Sequence, residues 1–116
     1  MKEYEFEIAF SFCVEDEYIV SQLNDRIKGR YSTFAYYEQQ KNLPGGDGES
    51  KFKKVFRELA RVVVILYRKK WGNTNWSRME ENAIRERAYK DGYNFTLFIV
   101  TENVDNMPDW LPRQQL

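Results

Sequence analysis

VVVILY, at residues 62–67, is an uninterrupted apolar run of the length of one strand. In a sheet that carries helices on both faces, a central strand meets no water, so its residues need not alternate between polar and apolar. We therefore expect this run to be the central strand of a parallel sheet.

Three further strands are predicted around this run. Upstream, FEIAFSF at residues 6–12 alternates at first and then becomes mostly apolar, as a strand does when it enters a covered sheet. TFAYY at residues 33–37 is β-branched and aromatic, a composition that favours a strand. Downstream, FTLFIV at residues 95–100 predicts the fourth strand.

Segments with apolar residues at helical spacing separate the strands. We expect the first helix to open at Glu15 and to be closed by Gly29 as a C-cap. The second is capped by Ser50 and has apolar residues at i, i+3, i+4 and i+7 over residues 52–59. The third spans about residues 77–90.

The order βαβαβαβ requires parallel strands joined by right-handed crossovers. We expect an α/β fold, a flavodoxin-like doubly wound parallel sheet with strand order 2-1-3-4. Ligands of such sheets bind beyond the carboxyl ends of the strands, where successive connections leave in opposite directions. Candidate chemistry should therefore lie in residues 11–15 and 67–76, with the glycine-rich loop at residues 38–49 beside them.

Composition narrows the chemistry. The sequence has no histidine, which excludes a Ser-His-Asp triad, an imidazole general base and most zinc sites. Cys13 is the only cysteine, so an internal disulfide is excluded, and we expect no metal. A catalytic group would have to be a carboxylate, a hydroxyl, a lysine or the thiol.

Charge and hydropathy limit the partners and the location. The 18 acidic and 18 basic side chains cancel, so no overall charge would attract nucleic acid. No apolar run is long enough to cross a membrane, and no secretory signal follows Met1. We expect a cytoplasmic protein.

Other functions of this sheet order fit the residues less well. A phosphate-accepting receiver domain needs an aspartate where strand three ends in Tyr67, and a flavodoxin needs Ser, Thr and Gly where residues 15–17 are acidic. The glycine-rich loop lacks the Lys-Ser/Thr of a P-loop. The basic residues 68–70 could meet a pyrophosphate or form a solvated face.

Several of these segments together resemble Toll/interleukin-1 receptor (TIR) domains. Residues 6–12 resemble the first conserved box, residues 34–37 the second strand, residues 39–49 the BB loop and residues 62–66 the central strand. WSRME at residues 76–80 resembles the Trp-x-x-x-Glu motif of NAD-cleaving members. The resemblance extends over nearly the whole chain.

The resemblance implies cleavage of the nicotinamide–ribose bond of NAD⁺, with NAD⁺ as substrate and no separate cofactor. Glu80 would be the catalytic residue, and Trp76 could cover a face of a bound ring. Ser11, Phe12 and Cys13 would line the nucleotide pocket, and Lys41 would approach the phosphates or the nicotinamide ribose. The list of predicted site residues is thus Ser11, Phe12, Cys13, Lys41, Trp76 and Glu80.

Glu80 also has a purely structural interpretation. Ser77 and Glu80 have the spacing of a capping box, in which Glu80 would close the first turn of the helix by reaching back to Ser77. Glu81 is rotated by about 100° from Glu80 on a helix and should face elsewhere.

The chain also departs from the TIR pattern. Arg61 and Tyr67 replace serines found in many members, and the sequence stops after residues 108–112, before the last strand and helix of the family. We infer that residues 1–116 form a single TIR-like domain in the amino-terminal part of a longer protein.

Two functions from different classes remain open. One is an NAD⁺ glycohydrolase of antiphage or innate immune defence, activated by oligomerisation through the BB-like loop at residues 38–49 and by a sensor or oligomerisation domain in the same full-length chain. The other is a non-catalytic TIR module that acts as an adaptor through protein–protein contacts.

Overall fold

A computed structural model describes residues 3–35 and 52–102 of the chain; the side chains of residues 75 and 76 lie outside this description. Its strands are β1 (Phe6–Ser11), β2 (Thr33–Phe34), β3 (Ala60–Tyr67) and β4 (Thr96–Val100). All pairings are parallel and the order is β2-β1-β3-β4, which confirms the predicted fold and strand order. The second strand is shorter than predicted, since Ala35 follows it outside the sheet.

Within the described residues, three helical segments lie between these strands. A 3₁₀ turn at Val14–Asp16 leads into α1 (Glu17–Ile27). The segment named α2 comprises helical residues 52–54 and a π-helical turn, Val55–Leu59, that runs directly into β3. The third helix, α3, is Asn75–Asp91.

The predicted C-cap at Gly29 is wrong. The cap of α1 is Lys28, and Gly29 does not adopt a positive φ. Helix α3 ends instead in the way predicted for α1, because Gly92 has a φ of 79° and its N–H donates to the carbonyl of Ala88 at 2.8 Å. Only glycine adopts such a backbone conformation without strain.

Two apolar clusters lie on opposite faces of the sheet, and β3 contributes to both. Val63, Ile65 and Tyr67 belong to the cluster under α2 and α3, whereas Val64 and Leu66 belong to the cluster under α1. Because side chains alternate along a strand, a strand buried on both faces must be apolar at every position. This arrangement explains the uniform composition of VVVILY.

The cluster on the α2 side contains aromatic rings in tilted and edge-to-face contact. The Phe34 ring lies 5.3 Å from that of Phe6 and 6.2 Å from that of Phe52, measured between centroids. Phe52 and Phe56 meet edge to face at 5.4 Å. These contacts fix α2 against the end of β2, as expected of large rings with a preference for tilted packing.

Within the described residues, no helix combines the length and the apolar character needed to cross a membrane.

Candidate functional site

The predicted catalytic residue, Glu80, contacts the end of the first strand. Ser11 is the last residue of β1, and its hydroxyl donates a hydrogen bond of 2.6 Å to Glu80 Oε1. Both residues are buried, with 0% of Ser11 and 1% of Glu80 exposed. The structure thus brings together two residues that lie 69 positions apart, at the carboxyl edge between β1 and β3 where ligands of this fold bind.

Trp71 completes this group and was not predicted from the sequence. Its indole Nε1–H donates to Ser11 Oγ at 2.8 Å, and only 3% of the residue is exposed. An indole N–H can donate but cannot accept, so Ser11 accepts from Trp71 and uses its own proton for Glu80. The three side chains form a one-way series of hydrogen bonds that ends at the carboxylate.

The loop before α3 is held in place by the helix. The N–H of Trp71 donates to the Arg68 carbonyl at 2.9 Å, and the N–H of Gly72 donates to Ser77 Oγ at 2.9 Å. Gly72 has a φ of 89°, which lets the chain turn sharply after Trp71. The position of Trp71 is therefore coupled to the amino-terminal turn of the helix that carries Glu80.

The structure corrects the predicted capping box. Thr74 is the N-cap of α3 and Ser77 is the third helical residue, and their side chains and backbone N–H groups cap each other. Glu80 consequently lies in the second turn, where the effect of the helix dipole has faded, and it bonds to Ser11 rather than closing the helix end. The interpretation of Glu80 as a capping residue of Ser77 is wrong.

Glu81 contacts the same loop from another side. A Cβ added to Gly72 would lie 2.9 Å from Glu81 Oε1, so the carboxylate packs directly against the turn. Burial raises the pKa of Glu81. Burial also raises the pKa of Tyr67, and the negative charges of Glu81 and Glu102 add to that shift.

Phe12 and Cys13 lie on opposite faces of the sheet. The Phe12 ring belongs to the α1-side cluster, while Cys13 belongs to the α2 and α3 side together with Trp71. Burial raises the pKa of the Cys13 thiol to about 11, and the charges of Glu15, Asp16 and Glu80 contribute. Cys13 therefore stays a protonated, weakly reactive thiol at neutral pH.

A buried ion pair connects the ends of three strands. Asp16, which is fully buried, accepts two hydrogen bonds from Arg68, at 2.9 and 2.8 Å, and one from Thr101 Oγ1 at 3.1 Å. The bonds to Asp16 raise the pKa of Arg68 further above its usual range. Since Asp16 follows β1, Arg68 follows β3 and Thr101 follows β4, this group fixes the edge on which Glu80 lies.

A second ion pair joins the same two loops. Lys70 and Glu15 are bonded through their side chains, and this contact lowers the pKa of Glu15 and raises that of Lys70. Two of the three basic residues at 68–70 are therefore engaged with acidic residues of the 15–17 segment. The sequence feature that could have predicted these ion pairs is the presence of opposite charges directly after two adjacent strands.

Surface cavities along α3 lie apart from this group. Three cavities there measure about 650, 280 and 520 Å³; Glu86 lines all three, Arg57 lines the first two, and Glu80 lines none of them. Their mixed charges and exposed walls favour no ligand, so the buried group around Glu80 is the stronger candidate.

Two predicted site residues, Lys41 and Trp76, lie wholly or partly outside the described residues. Lys41, like the whole BB-like loop at residues 38–49, lies outside the described residues. The backbone of Trp76 lies in the first turn of α3, but its side chain is outside the described part of the structure.

Comparison with known proteins identifies a likeness in fold. No protein-family profile matches the sequence, and no curated protein matches it. Among solved structures, the chain is similar to the TIR domains of the activated Roq1 resistosome, a complex that directly recognises the pathogen effector XopQ. The TM-score is 0.64 at 20% identity, and the match covers 83% of this chain and 57% of the other.

Proposed function

Because the chain has a TIR-like fold, we propose that it is an enzyme that cleaves the nicotinamide–ribose bond of NAD⁺, with Glu80 as the catalytic residue. The observation that carries the proposal is the contact between Ser11 and Glu80 at the carboxyl ends of the central strands. A carboxylate is the group that this reaction requires, and the edge between β1 and β3 is where doubly wound sheets bind nucleotides.

The reaction needs little besides a well-placed negative charge. When the bond between ribose C1′ and the nicotinamide nitrogen breaks, its electron pair neutralises the cationic ring, and a positively charged, oxocarbenium-like ribose remains. A carboxylate beside that ribose stabilises the developing charge. Water, or a nucleophile of the substrate itself, then forms the new bond at C1′ and loses a proton. Nicotinamide leaves without protonation, so the absence of histidine is no obstacle.

Ser11 would fix the carboxylate in the orientation that the reaction needs. Its hydroxyl bonds one oxygen of Glu80, and the bond is protected from water by the burial of both residues. Orientation contributes to catalysis because a group that is already in place needs no reorganisation when charge develops.

Burial of Glu80 also favours a resting form of the enzyme. With 1% of Glu80 exposed, substrate can reach its carboxylate only after side chains around it move. We propose that self-association through the BB-like loop at residues 38–49 produces this opening. We further propose that a sensor or oligomerisation domain in the full-length chain drives the association, and that the protein acts in antiphage or innate immune defence. The isolated chain would then have little activity, and clustering would raise it.

A non-catalytic interaction module is the second candidate. The same burial favours it, since a carboxylate that is enclosed and hydrogen-bonded can serve to hold α3 against β1. This candidate predicts self-association without loss of NAD⁺ and no effect of Glu80 substitutions on association.

The decisive experiment measures NAD⁺ consumption by the chain displayed at high density on a clustering scaffold. Glu80→Gln keeps the size of the side chain and an oxygen that can accept from Ser11, but it removes the charge. Glu86→Gln is the matched control, because Glu86 is an exposed carboxylate on the same helix that pairs with Arg57 on the surface. We prefer it to a Glu81 variant, since Glu81 packs against Gly72.

Loss of NAD⁺ consumption in a folded Glu80→Gln variant, with activity retained in Glu86→Gln, is the expected result. If the clustered wild-type chain leaves NAD⁺ intact, the proposal of an NAD⁺-cleaving enzyme is overturned and the interaction module is favoured. Circular dichroism of each variant verifies that the fold is preserved.

A further inference from the structure

We propose that Trp71 is a positioning residue for Glu80. By donating its indole N–H to Ser11 Oγ, it directs the single proton of the Ser11 hydroxyl to the carboxylate. The proposal rests on the proposed function of Glu80 and names the residue that controls the geometry of that site.

The argument begins with the donors and acceptors available to the three groups. A serine hydroxyl has one proton and two lone pairs, an indole has only a donor, and a carboxylate has only acceptors. With the indole N–H at 2.8 Å and the Glu80 oxygen at 2.6 Å, one assignment satisfies both contacts. The indole occupies a lone pair of Ser11, and the hydroxyl proton points to Glu80.

Burial makes this assignment persistent. Trp71, Ser11 and Glu80 are each at most 3% exposed, so solvent water does not compete for the Ser11 oxygen. Hydrogen bonds in series inside a protein polarise and strengthen one another. Without the indole donor, rotation of the Ser11 hydroxyl away from Glu80 would no longer be opposed by the second bond.

The loop that carries Trp71 is bonded to α3, the helix on which Glu80 lies. Gly72, the next residue, donates to Ser77 in the first turn of α3, and Glu80 lies one turn further along the same helix. A continuous set of contacts therefore joins Trp71 to Ser11, Ser11 to Glu80, and the helix of Glu80 back to the loop that carries Trp71. Displacement of any member disturbs the carboxylate, which is the behaviour expected of a positioning group.

Trp71 is distinct from the tryptophan of the Trp-x-x-x-Glu motif. That tryptophan is Trp76, one turn before Glu80. Trp71 lies in the loop outside the helix, beside Tyr67, whose ring centroid is 6.0 Å away.

The test uses Trp71→Phe, which retains an aromatic ring and deletes the N–H. On the clustering scaffold we expect kcat to fall by about tenfold, the equivalent of one hydrogen bond to a hydroxyl that serves a charged group, with KM changed by less than about twofold. In a Ser11→Ala background the same substitution should lower kcat by less than about a further twofold, because the hydrogen bonds through Ser11 are already absent. Tyr67→Phe is the matched control, since it removes the hydroxyl of the neighbouring ring and leaves the hydrogen bonds from Trp71 to Ser11 and from Ser11 to Glu80 in place.

An NMR measurement separates this proposal from the proposed function. In uniformly ¹³C- and ¹⁵N-labelled protein without NAD⁺, the carboxyl resonance of Glu80 is identified by its absence from Glu80→Gln. We expect Trp71→Phe to shift this resonance and Tyr67→Phe to leave it in place. If the wild type consumes no NAD⁺ and the resonance still shifts, the proposed function fails while the positioning of Glu80 by Trp71 stands. A Glu80 resonance that Trp71→Phe does not move, or a kcat that it does not change in an active enzyme, would overturn the proposal.

Discussion

Arg68 donates two hydrogen bonds to Asp16, at 2.9 and 2.8 Å, and so joins the loop after β3 to the loop after β1. The two planar groups meet side by side, an arrangement in which arginine binds a carboxylate most strongly. Asp16 is fully buried and Arg68 has 19% of its side chain exposed, so little water competes with the pair.

Arg68→Ala should destabilise the protein by about 3 kcal/mol, because it removes the main cation from a buried carboxylate. The measurement is the free energy of unfolding in urea. Arg57→Ala is the control: Arg57 pairs with Glu86 at 3.4 Å on the exposed surface, and its loss should cost less than about 1 kcal/mol. Equal effects of the two substitutions would contradict the importance assigned to the Asp16 pair.

Gly72→Ala should be the most destabilising of three glycine substitutions. Gly72 combines a φ of 89° with a Cβ position 2.9 Å from Glu81 Oε1, whereas Gly92 has a φ of 79° and open space around it. The positive φ alone costs about 1–3 kcal/mol for alanine, and Gly72 adds the contact with Glu81. Gly29→Ala, with an ordinary φ and no neighbour within 4 Å, should be neutral or stabilise by up to about 1 kcal/mol. Thermal unfolding of the three variants gives the order, and a Gly72→Ala variant as stable as Gly29→Ala would refute it.

Cys13 should make the stability of the protein fall at alkaline pH. Its pKa is raised from 9.0 to about 11 by burial and by neighbouring negative charges, so the folded protein retains the thiol proton more tightly than the unfolded chain does. The resulting stabilisation is fully present below pH 9 and is lost as the pH rises through about 11. We expect urea unfolding at pH 8, 9.5 and 10.5 to show this loss, with a shallower decline in Cys13→Ala. Tyr67 also has a raised pKa and titrates in both proteins, so the difference between the two curves isolates the thiol. Parallel curves would contradict the assignment.

Ser11→Ala should lower both stability and the proposed activity. It removes the hydroxyl that accepts from Trp71 and donates to Glu80, at a cost of about 1–3 kcal/mol for buried groups that lose a partner. Ser21→Ala is the control, since Ser21 donates to the Tyr18 carbonyl at 2.9 Å on the exposed face of α1. Urea unfolding should show a change within about 0.5 kcal/mol for that variant. A Ser11→Ala protein as stable as Ser21→Ala would indicate that the contact with Glu80 contributes little.

Patterns of hydrophobicity were sufficient to predict the sheet. VVVILY at residues 62–67 forms β3 in the middle of it, and the order 2-1-3-4 expected of a flavodoxin-like sheet is the order observed. The same topology placed the expected chemistry in residues 11–15 and 67–76, which include Ser11, whereas Glu80, its hydrogen-bond partner, was predicted from the resemblance to TIR domains.

Details that depend on pairing between loops were not predictable in this way. Periodicity indicates which face of an element is buried, but it does not indicate which loop residues bond, so the pair of Asp16 and Arg68 was missed. The helix start was misjudged because Thr74 and Ser77 are both good caps, and the choice between them depends on the turn at Gly72. Trp71 gave no signal because nothing about its spacing distinguishes it from a core aromatic.

Just as β3 contributes to both apolar clusters, the consecutive residues 11–13 at the end of β1 and directly after it face different sides of the sheet. Phe12 faces the α1 side, so substitutions there are limited by the volume it must fill. Ser11 and Cys13 face the other side, where the limits are set by hydrogen bonding and charge around Glu80. From residue 11 to residue 13, the property that limits substitution should therefore change from hydrogen bonding to side-chain volume and then to charge and burial. A saturation library of the three positions would show this alternation directly.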